Sequence, residues 1–297
     1  MKLHNITTIK FHNKSVRCVS TFPSGNIISI SDDCSIIIYN YIHFNIIQKI
    51  IMAHFKGIIQ VEIIDENLFI TCSFDKNIKF WKKIDNKFSI YKIIENAHCH
   101  LVSTIIYCSN GNLISGGGDQ IIKIWKKNKE NSYEIIHSII ESYSISDIYF
   151  LEDKNLLIYS RGFKAIFRDI SDFNQIQLLK YFNNITTNNF CRINNDRIIL
   201  ENISRKEIFI ISIKELNIIK QIQINFIPVG ITFIKNKEII LIGEFASNDI
   251  KIYDINNFEC VQIINKAHNS IIGGFIELKN GMIASFSCDS KVKIWSF

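Results

Sequence analysis

Short segments of alternating apolar and polar residues recur along the chain. The segments 77–81, 251–253 and 291–295 read Asn-Ile-Lys-Phe-Trp, Lys-Ile-Tyr and Lys-Val-Lys-Ile-Trp. Alternation of period two, rich in Ile, Val and aromatic residues, is typical of half-buried β-strands. Longer apolar runs, such as 197–200 and 238–242, fit strands that are buried more completely. The pattern predicts an all-β chain.

Turn signals separate these segments at a constant position. Gly25, Gly111 and Gly281 each lie 13 residues after a His, within Ser-Gly-Asn, Asn-Gly-Asn and Asn-Gly-Met. Asn-Gly between apolar runs is a strong hairpin signal. The chain has only 2 Pro and 12 Gly, so Asn and Asp must supply most of its other turns.

A fixed spacing organises the whole chain. In four places a His stands 21 residues before an Asp and 27 before a Trp or Tyr. The last residues of seven successive units are 42, 44, 43, 43, 42 and 42 residues apart by subtraction. Such a period indicates an array of one structural unit. We expect about seven units and a single domain over 1–297. The unit ends are Tyr39, Trp81, Trp125, Arg168, Ile211, Tyr253 and Trp295.

The repeated segments resemble those of the WD-repeat β-propellers. The resemblance is carried by Cys-Ser-Phe-Asp-Lys-Asn-Ile-Lys-Phe-Trp at 72–81, by Gly-Gly-Asp-Gln-Ile-Ile-Lys-Ile-Trp at 117–125 and by Ser-Cys-Asp-Ser-Lys-Val-Lys-Ile-Trp at 287–295. A period of about 40–45 residues with a late Trp is the pattern of a four-stranded propeller blade. The resemblance implies an all-β, seven-bladed β-propeller of four-stranded antiparallel blades.

The two ends of the chain fit one blade together. The sequence stops at Trp295-Ser296-Phe297, at the close of the third strand expected in blade 7. A strand-like segment, about 4–11, precedes His12 and belongs to no other blade. We expect this N-terminal strand to complete the last blade and close the ring, which removes an exposed sheet edge.

The resemblance also implies a structural network in blades 1, 2, 3 and 7. In the WD-repeat pattern the Asp lies in the turn between the second and third strands and the His precedes the first strand. A Ser or Thr joins them, and a hydroxyl residue stands four positions before each Asp here. A chain of Trp, hydroxyl, His and Asp satisfies every donor and acceptor. Its members are His12, Ser29, Asp33, Tyr39; His54, Thr71, Asp75, Trp81; His98, Ser115, Asp119, Trp125; and His268, Ser285, Asp289, Trp295.

The chemistry-bearing residues do not favour an enzyme. A Ser-His-Asp triad needs one accessible nucleophile beside an oxyanion hole, whereas this constellation occurs four times as packing. The segment His98-Cys99-His100 could suggest a metal site, but His98 is already assigned to the network. The 8 cysteines form no Cys-x-x-Cys pair, which favours reduced thiols in the cytoplasm or nucleus. We expect no cofactor and no metal.

Blades 4, 5 and 6 depart from the pattern. One interpretation is relaxed divergence, with apolar strands carrying the fold; the other is that loops freed from the network contact a partner. The residues at the His, Asp and Trp positions are Glu141, Gly162 and Arg168 in blade 4, Asn184, Arg205 and Ile211 in blade 5, and Phe226, Ser247 and Tyr253 in blade 6.

Charge gives little support for nucleic acid or membrane binding. The net charge is +6, from 34 basic and 28 acidic residues, and no apolar run reaches the ~20 residues of a membrane span. The densest basic patch includes Lys126, Lys127 and Lys129. It supplies the alternative function, binding of nucleic acid or phosphoinositide lipid through a basic edge. The Phe-Arg-Arg-Gly motif of one lipid-binding propeller subgroup is matched only by Tyr-Ser-Arg-Gly at 159–162.

The preferred function is a non-enzymatic scaffold for protein–protein interactions. Family resemblance implies this role, with the propeller a monomeric subunit of an intracellular hetero-complex. Residues next to the Asp positions lie on one face of such a propeller, and aromatic residues and Arg are enriched at interfaces. For Phe74 a packing role over its own blade stays open. The candidate partner-binding residues are Phe55, Asp32, Phe74, Arg161, Ser204 and Cys288.

Overall fold

A computed structural model gives the architecture of the chain and describes residues 2–173, 175–187 and 189–297. Within these described residues, twenty-eight strands form seven four-stranded antiparallel sheets. Consecutive strands pair within a sheet, and the first strands of successive sheets pack together around a ring. This is a seven-bladed β-propeller, as the sequence predicts.

The first three blades contain β2 to β13. Blade 1 consists of β2 (Val16–Thr21), β3 (Ile27–Ser31), β4 (Ile36–Tyr39) and β5 (Ile46–Ile50). Blade 2 consists of β6 (Ile58–Asp65), β7 (Leu68–Ser73), β8 (Ile78–Ile84) and β9 (Lys87–Ile94). Blade 3 consists of β10 (Val102–Tyr107), β11 (Leu113–Gly117), β12 (Ile121–Lys127) and β13 (Tyr133–Ile140).

The next three blades contain β14 to β25, with short 3-10 turns at Glu152–Lys154 and Lys235–Lys237. Blade 4 consists of β14 (Ile145–Leu151), β15 (Leu156–Arg161), β16 (Lys164–Asp169) and β17 (Gln177–Asn183). Blade 5 consists of β18 (Phe190–Arg192), β19 (Arg197–Asn202), β20 (Glu207–Ser212) and β21 (Ile218–Gln223). Blade 6 consists of β22 (Pro228–Ile234), β23 (Ile239–Glu244), β24 (Ile250–Asp254) and β25 (Cys260–Ile264).

Blade 7 joins the two ends of the chain. Its strands are β26 (Ile272–Glu277), β27 (Ile283–Ser287), β28 (Val292–Ser296) and β1 (His4–Ile9). The antiparallel pairing of β1 with β28 runs from His4 opposite Ser296 to Ile9 opposite Val292. The N-terminal strand thus completes the last blade, as expected, and covers an edge that would otherwise be unpaired.

The core lies between the blades. The second strands, such as β3 and β27, are buried along their whole length, whereas the outermost strands, such as β17, are largely exposed. Between blades 1 and 2, Phe69 stacks on Trp81 with ring centroids 5.9 Å apart, and Phe22 stacks on Phe88 at 5.3 Å. Burial of such large rings supplies most of the driving force that holds neighbouring blades together.

Candidate functional site

In blade 2 one hydrogen-bonded chain links the second and third strands, β7 and β8, to the loop before β6. The Trp81 Nε1–H donates to Thr71 Oγ1 at 2.8 Å, and the Thr71 hydroxyl lies 2.8 Å from His54 Nε2. His54 Nδ1 lies 2.9 Å from an Asp75 carboxylate oxygen. That carboxylate also accepts the backbone N–H of Phe55, so the network fixes both the loop and the turn.

The same chain occurs in blades 3 and 7. Both Trp Nε1–H groups donate to a Ser hydroxyl at 2.8 Å. The His Nε2 to Ser Oγ distances are 2.8 and 2.7 Å, and the His Nδ1 to Asp distances are 2.8 and 3.1 Å. All of these His and Ser side chains are buried, which removes them from any substrate. The residues are His98, Ser115, Asp119 and Trp125 in blade 3 and His268, Ser285, Asp289 and Trp295 in blade 7.

Blade 1 has the same His, Ser and Asp but a different residue at the Trp position. His12 Nε2 lies 2.8 Å from Ser29 Oγ, and His12 Nδ1 lies 3.2 Å from an Asp33 carboxylate oxygen. Tyr39 replaces Trp, and its hydroxyl is buried near that of Ser29. The Tyr therefore contributes its ring to the core, where it packs edge-on against Phe11 at 6.0 Å.

Burial sets the charge state of these networks. Burial lowers the pKa of His54, His98 and His268 below the usual 6.5, although each His has a carboxylate partner. Burial disfavours ionisation of Asp289, but hydrogen bonds from His268 and from two backbone N–H groups prevail and lower its pKa to about 2. At neutral pH the networks of blades 2 and 7 therefore pair a neutral His with a charged Asp.

Blade 4 contains a polar network of different composition. The Tyr159 hydroxyl donates to the Glu141 carboxylate and accepts the Arg168 Nε–H at 2.7 Å. Arg168 Nη2 also lies 3.2 Å from Glu141, and Arg161 Nη1 donates to its other oxygen. The Glu141 side chain is only 1% exposed, so this is a buried carboxylate held by two guanidinium groups.

The members of this network occupy the positions of the His, Thr and Trp in blade 2. Glu141 and Arg168 are 27 residues apart, as His54 and Trp81 are. Arg168 pairs across strands with Leu157, and Tyr159 follows two residues later, just as Thr71 follows the Trp81 partner Phe69. Blade 4 therefore has different side chains at the same three positions of the blade.

Blades 5 and 6 have local polar contacts in place of the full chain. In blade 5, the buried Asn202 amide donates to Glu207 at 3.1 Å. In blade 6, Lys251 Nζ lies 2.8 Å from Glu244 and 3.8 Å from the centroid of the Phe226 ring. These contacts tie each turn to its blade, as the Asp does elsewhere.

The loops before each first strand and the turns between second and third strands form one face, here called the upper face. Phe55 is 81% exposed there, with Ile51 at 72% and Met52 at 73% in the same loop. These three residues form what we call the blade 2 patch. The corresponding residues of blades 3 and 7 are polar or small: Glu95, Asn96 and Cys99, and Asn265, Lys266 and Asn269.

The backbone at Met52 is unusual for its residue type. Its φ is 51°, matching 46° at both Asn96 and Lys266 in the corresponding turns. Asn adopts this left-handed conformation readily, whereas for other residues it costs about 1 kcal/mol. Because Met52 is also exposed, neither the turn nor the core requires a methionine here.

The patch is framed by positive charge. Lys79 Nζ donates to the Ala53 backbone oxygen at 2.7 Å and lies 5.7 Å from the Phe55 ring centroid. Lys56 follows Phe55 directly, and Lys49 lies at the end of the preceding strand, both exposed. The nearby acidic groups, Asp75 and Asp32, are held by His54 and Arg17.

Most of the other candidate contact residues have partners within the protein. Arg17 pairs with Asp32 at 2.8 Å and lies 5.8 Å from the Phe74 ring centroid, and that ring also lies against Gly57. Phe74 thus lies between Gly57 of its own blade and Arg17 of blade 1. Ser204 donates to Asn202 at 3.0 Å.

Arg161 and Cys288 differ in exposure and surroundings. The guanidinium of Arg161 is held by buried Glu141, so Arg161 is a component of the blade 4 network and not a free contact of the upper face. Cys288 is partly exposed beside Arg17 and Gly273, at one end of the ring of first strands. Spacing alone could not distinguish these two environments.

The basic patch of blade 3 is interleaved with acidic groups. Lys126, at the end of β12, stands opposite Glu134 of β13, and Glu130 follows Lys129 in the loop. Lys126, Lys127 and Lys129 are all exposed. Within residues 2–173, 175–187 and 189–297, no His, Cys, Asp and Glu side chains group as a metal site, and no helix is long and apolar enough to span a membrane.

The comparison with known proteins agrees with this geometry. The profile of the family described as "WD domain, G-beta repeat" matches residues 3–40, 48–82 and 90–126, which cover blades 1 to 3. The nuclear distribution protein nudF of Aspergillus flavus is 31% identical over 125 residues, 40% of this chain and 26% of nudF. Lissencephaly-1 homolog 1 of Paramecium tetraurelia is 38% identical over 78 residues, 26% of this chain and 19% of that protein.

A further relative is cilia- and flagella-associated protein 52 of Chlamydomonas reinhardtii, 24% identical over 154 residues, 51% of this chain and 24% of that protein. The matches thus span about a quarter or less of each relative's length. None of the three is named as an enzyme. The chain is thus a seven-bladed β-propeller over the residues described, with WD repeats matched in three of its blades.

Proposed function

We propose that the chain is a non-enzymatic scaffold that binds a partner protein through the blade 2 patch. The observation that carries this proposal is the exposure of Ile51, Met52 and Phe55 where blades 3 and 7 have polar or small residues. Exposed clusters of large apolar side chains mark interaction sites, and aromatic residues and Met are enriched at interface centres. The left-handed backbone of Met52 is unfavourable for a methionine, and its exposed side chain gains no burial in the core that would offset this.

The surrounding charge favours a particular kind of partner surface. Lys56 is exposed beside Phe55, and the buried Lys79 lies 5.7 Å from the Phe55 ring centroid. A partner that presents an apolar centre with carboxylates at its rim would complement this arrangement, since complementary charge increases the association rate and excludes other partners. The nudF and Lissencephaly-1 relatives support a protein-binding role for the propeller only in general terms.

We propose that the propeller works as one domain over 1–297, as a monomer within a hetero-complex in the cytoplasm or nucleus. All eight cysteines are free thiols, which fits a reducing compartment. The networks that could suggest a hydrolase are buried structural elements in blades 2, 3 and 7. Binding of nucleic acid or phosphoinositide through Lys126, Lys127 and Lys129 is the alternative; the neighbouring Glu130 and Glu134 weigh against it.

The test is affinity purification of the tagged protein from its source cells, with the Met52→Asn/Phe55→Asn variant as comparison. We expect a stoichiometric partner protein that the variant no longer retains. The melting temperature should be unchanged, because both side chains are exposed and Asn tolerates the turn at position 52. Purified partner and propeller should then reproduce the difference in a direct binding assay.

A matched control is Val261→Asn, which changes an apolar residue that is 57% exposed on the outer strand of blade 6. This variant should retain the partner. Equal retention by both variants would remove the blade 2 patch from the proposal. Co-purification of nucleic acid or lipid, lost when Lys126, Lys127 and Lys129 are replaced, would favour the alternative.

A further inference from the structure

A cleft opens between blades 5 and 6 on the face opposite the upper face. Its volume is about 440 Å³. Its walls come from the strands of blade 5 and from the two connections of blade 6 that follow β22 and β24. Ile210, Ile219, Ile255 and Phe258 give the walls an apolar character. The volume lies within the usual range for a ligand site, about 300–1,000 Å³.

Positive charge surrounds these apolar walls. Arg197, Lys220 and Lys235 line the cleft, and none of them forms an ion pair within the part of the chain that is described. The Lys220 Nζ lies 4.6 Å from the centroid of the Phe258 ring. The one carboxylate lining the cleft, Glu238, accepts a hydrogen bond from Asn256 at 3.4 Å. The cleft therefore presents an excess of cations beside apolar side chains.

The matching cleft between blades 1 and 2 differs in both respects. Its volume is about 230 Å³, and the stacked rings of Phe22 and Phe88 fill its interior. One acid and one base, Glu66 and Lys83, line it and balance its charge. The cleft between blades 1 and 2 is thus smaller and balanced in charge.

We infer that the cleft between blades 5 and 6 binds an acidic peptide segment of a partner protein, with a bulky apolar residue of that segment inserted between Ile210, Ile219 and Phe258. The inference rests on the protein-binding role proposed above and adds a second contact on the opposite face. Carboxylates of the segment pair with Arg197, Lys220 and Lys235 at the rim. A concave cleft that receives a side chain suits a peptide better than a flat membrane surface.

The test uses fluorescence anisotropy with the purified full chain and three labelled synthetic peptides. The first has the sequence Gly-Asp-Glu-Leu-Phe-Glu-Asp-Gly. The second replaces Leu-Phe by Ser-Ser, and the third replaces the four acidic residues by Lys. We expect the first to bind at low salt and the other two to bind at least about tenfold more weakly, since each loses one of the two complementary features.

Protein variants locate the binding. Lys220→Glu/Lys235→Glu should weaken the first peptide by about tenfold or more, the order expected for loss of charge-assisted bonds. The control Lys126→Glu/Lys129→Glu makes the same change of charge on blade 3 and should bind as the unaltered protein does. Both pairs are exposed, so both variants should fold.

Four results would overturn the inference. These are no binding of the first peptide, equal weakening by both variants, equal binding of the Ser-Ser peptide, and cleft-dependent binding to vesicles of phosphatidylserine and phosphatidylcholine in preference to the peptide. The Met52→Asn/Phe55→Asn variant separates this result from the proposed function. It should bind the peptide normally even though it loses the partner at the blade 2 patch.

Discussion

Blades 2 and 4 solve the same structural problem with different side chains. In blade 2, His54, Thr71 and Trp81 form a hydrogen-bonded chain that ends on the carboxylate of Asp75. In blade 4, Glu141, Tyr159 and Arg168 occupy the three matching positions, and Arg161 completes the set. These two blades therefore both have a polar network at these positions, although its residues differ.

The two solutions carry charge differently. Blade 2 buries a His whose charged form is disfavoured by burial, so its only full charge is on Asp75, whose side chain is 4% exposed. Blade 4 buries the carboxylate itself, and the two arginines that compensate it remain about a fifth exposed. Because desolvation of an ion is costly, the blade 4 network depends more strongly on each of its members.

The largest expected effect comes from removing that buried carboxylate. Glu141→Leu would leave Arg161, Arg168 and the Tyr159 hydroxyl without their shared acceptor. Loss of one partner of a buried ion pair costs about 3–5 kcal/mol. Urea unfolding should show that the free energy of unfolding falls by about 3 kcal/mol. This is the lower end of that range, because both arginines can turn toward water.

The control for this change is Glu130→Leu, at an exposed loop position of blade 3. It should alter the free energy of unfolding by less than about 0.5 kcal/mol. If both variants unfold alike, the blade 4 cluster is not a stabilising network and the comparison with blade 2 fails.

A smaller effect is expected from the corresponding change in blade 2. Asp75→Ala removes the acceptor of His54 and of the Phe55 backbone N–H. Because these donors lose their acceptor, the free energy of unfolding measured in urea should fall by about 1–3 kcal/mol. His54 is neutral, so no buried charge is left unpaired and the loss should be smaller than for Glu141→Leu. The exposed Asp85 gives a matched control as Asp85→Asn. A larger loss for Asp75→Ala than for Glu141→Leu would reverse the proposed ranking.

The difference between these blades also shows what the sequence could predict. The seven blades and the closing strand were predictable, because four identical spacings set the period and β1 had no other place. The opposite charges of Glu141 and Arg168, 27 residues apart, were a visible signal of a substitute network. Spacing alone did not interpret them, because the pattern was defined by residue type.

The third member of that network could not be found by counting. In blade 4 only Gly162 and Phe163 separate β15 from β16, whereas four residues separate β7 from β8. The shorter turn moves the network residue to nine positions before Arg168, compared with ten before Trp81 in blade 2. Counting from the blade 2 pattern thus gives Ile158 in place of Tyr159. Because of the same one-residue difference, the sequence spacing placed Arg161 on the upper face. A change in turn length becomes evident only from strand pairing.

The blade 2 patch shows a second limit of the repeat pattern. Phe55 and Phe74 have equal standing in the sequence, since each adjoins a network residue. Only packing separates them: Phe74 lies against Gly57 and Arg17, whereas Phe55 is exposed. Ile51 and Met52 lie outside the pattern's marked positions, and comparison of the same loop across blades would have identified them.

The smallest expected effect is a difference in pH dependence between the two kinds of blade. Burial lowers the pKa of His54, His98 and His268, so the unfolded chain binds protons more readily than the folded one. Their contribution to stability is fully present above the unfolded pKa of 6.5 and is lost as pH falls below it. The lowered pKa of Asp289, about 2, adds a further loss only below the unfolded value of 3.8. Blade 4 has Glu141 in place of that His. Burial raises the pKa of Glu62 in blade 2 and of Asp147 in blade 4 to about 7, so these two acids act in the opposite direction in both blades.

Hydrogen exchange at pH 7.5 and 5.5, corrected for the intrinsic exchange rates, separates the blades. Protection of β7, β11 and β27 should fall at the lower pH by a larger factor than protection of β15, because only the first three carry the hydroxyl partner of a buried His. His54→Gln should remove the pH dependence of blade 2 and leave that of blade 7. A uniform loss of protection in all blades would instead indicate that the ring opens as one cooperative unit, and the contrast between blades 2 and 4 would then concern side-chain chemistry alone.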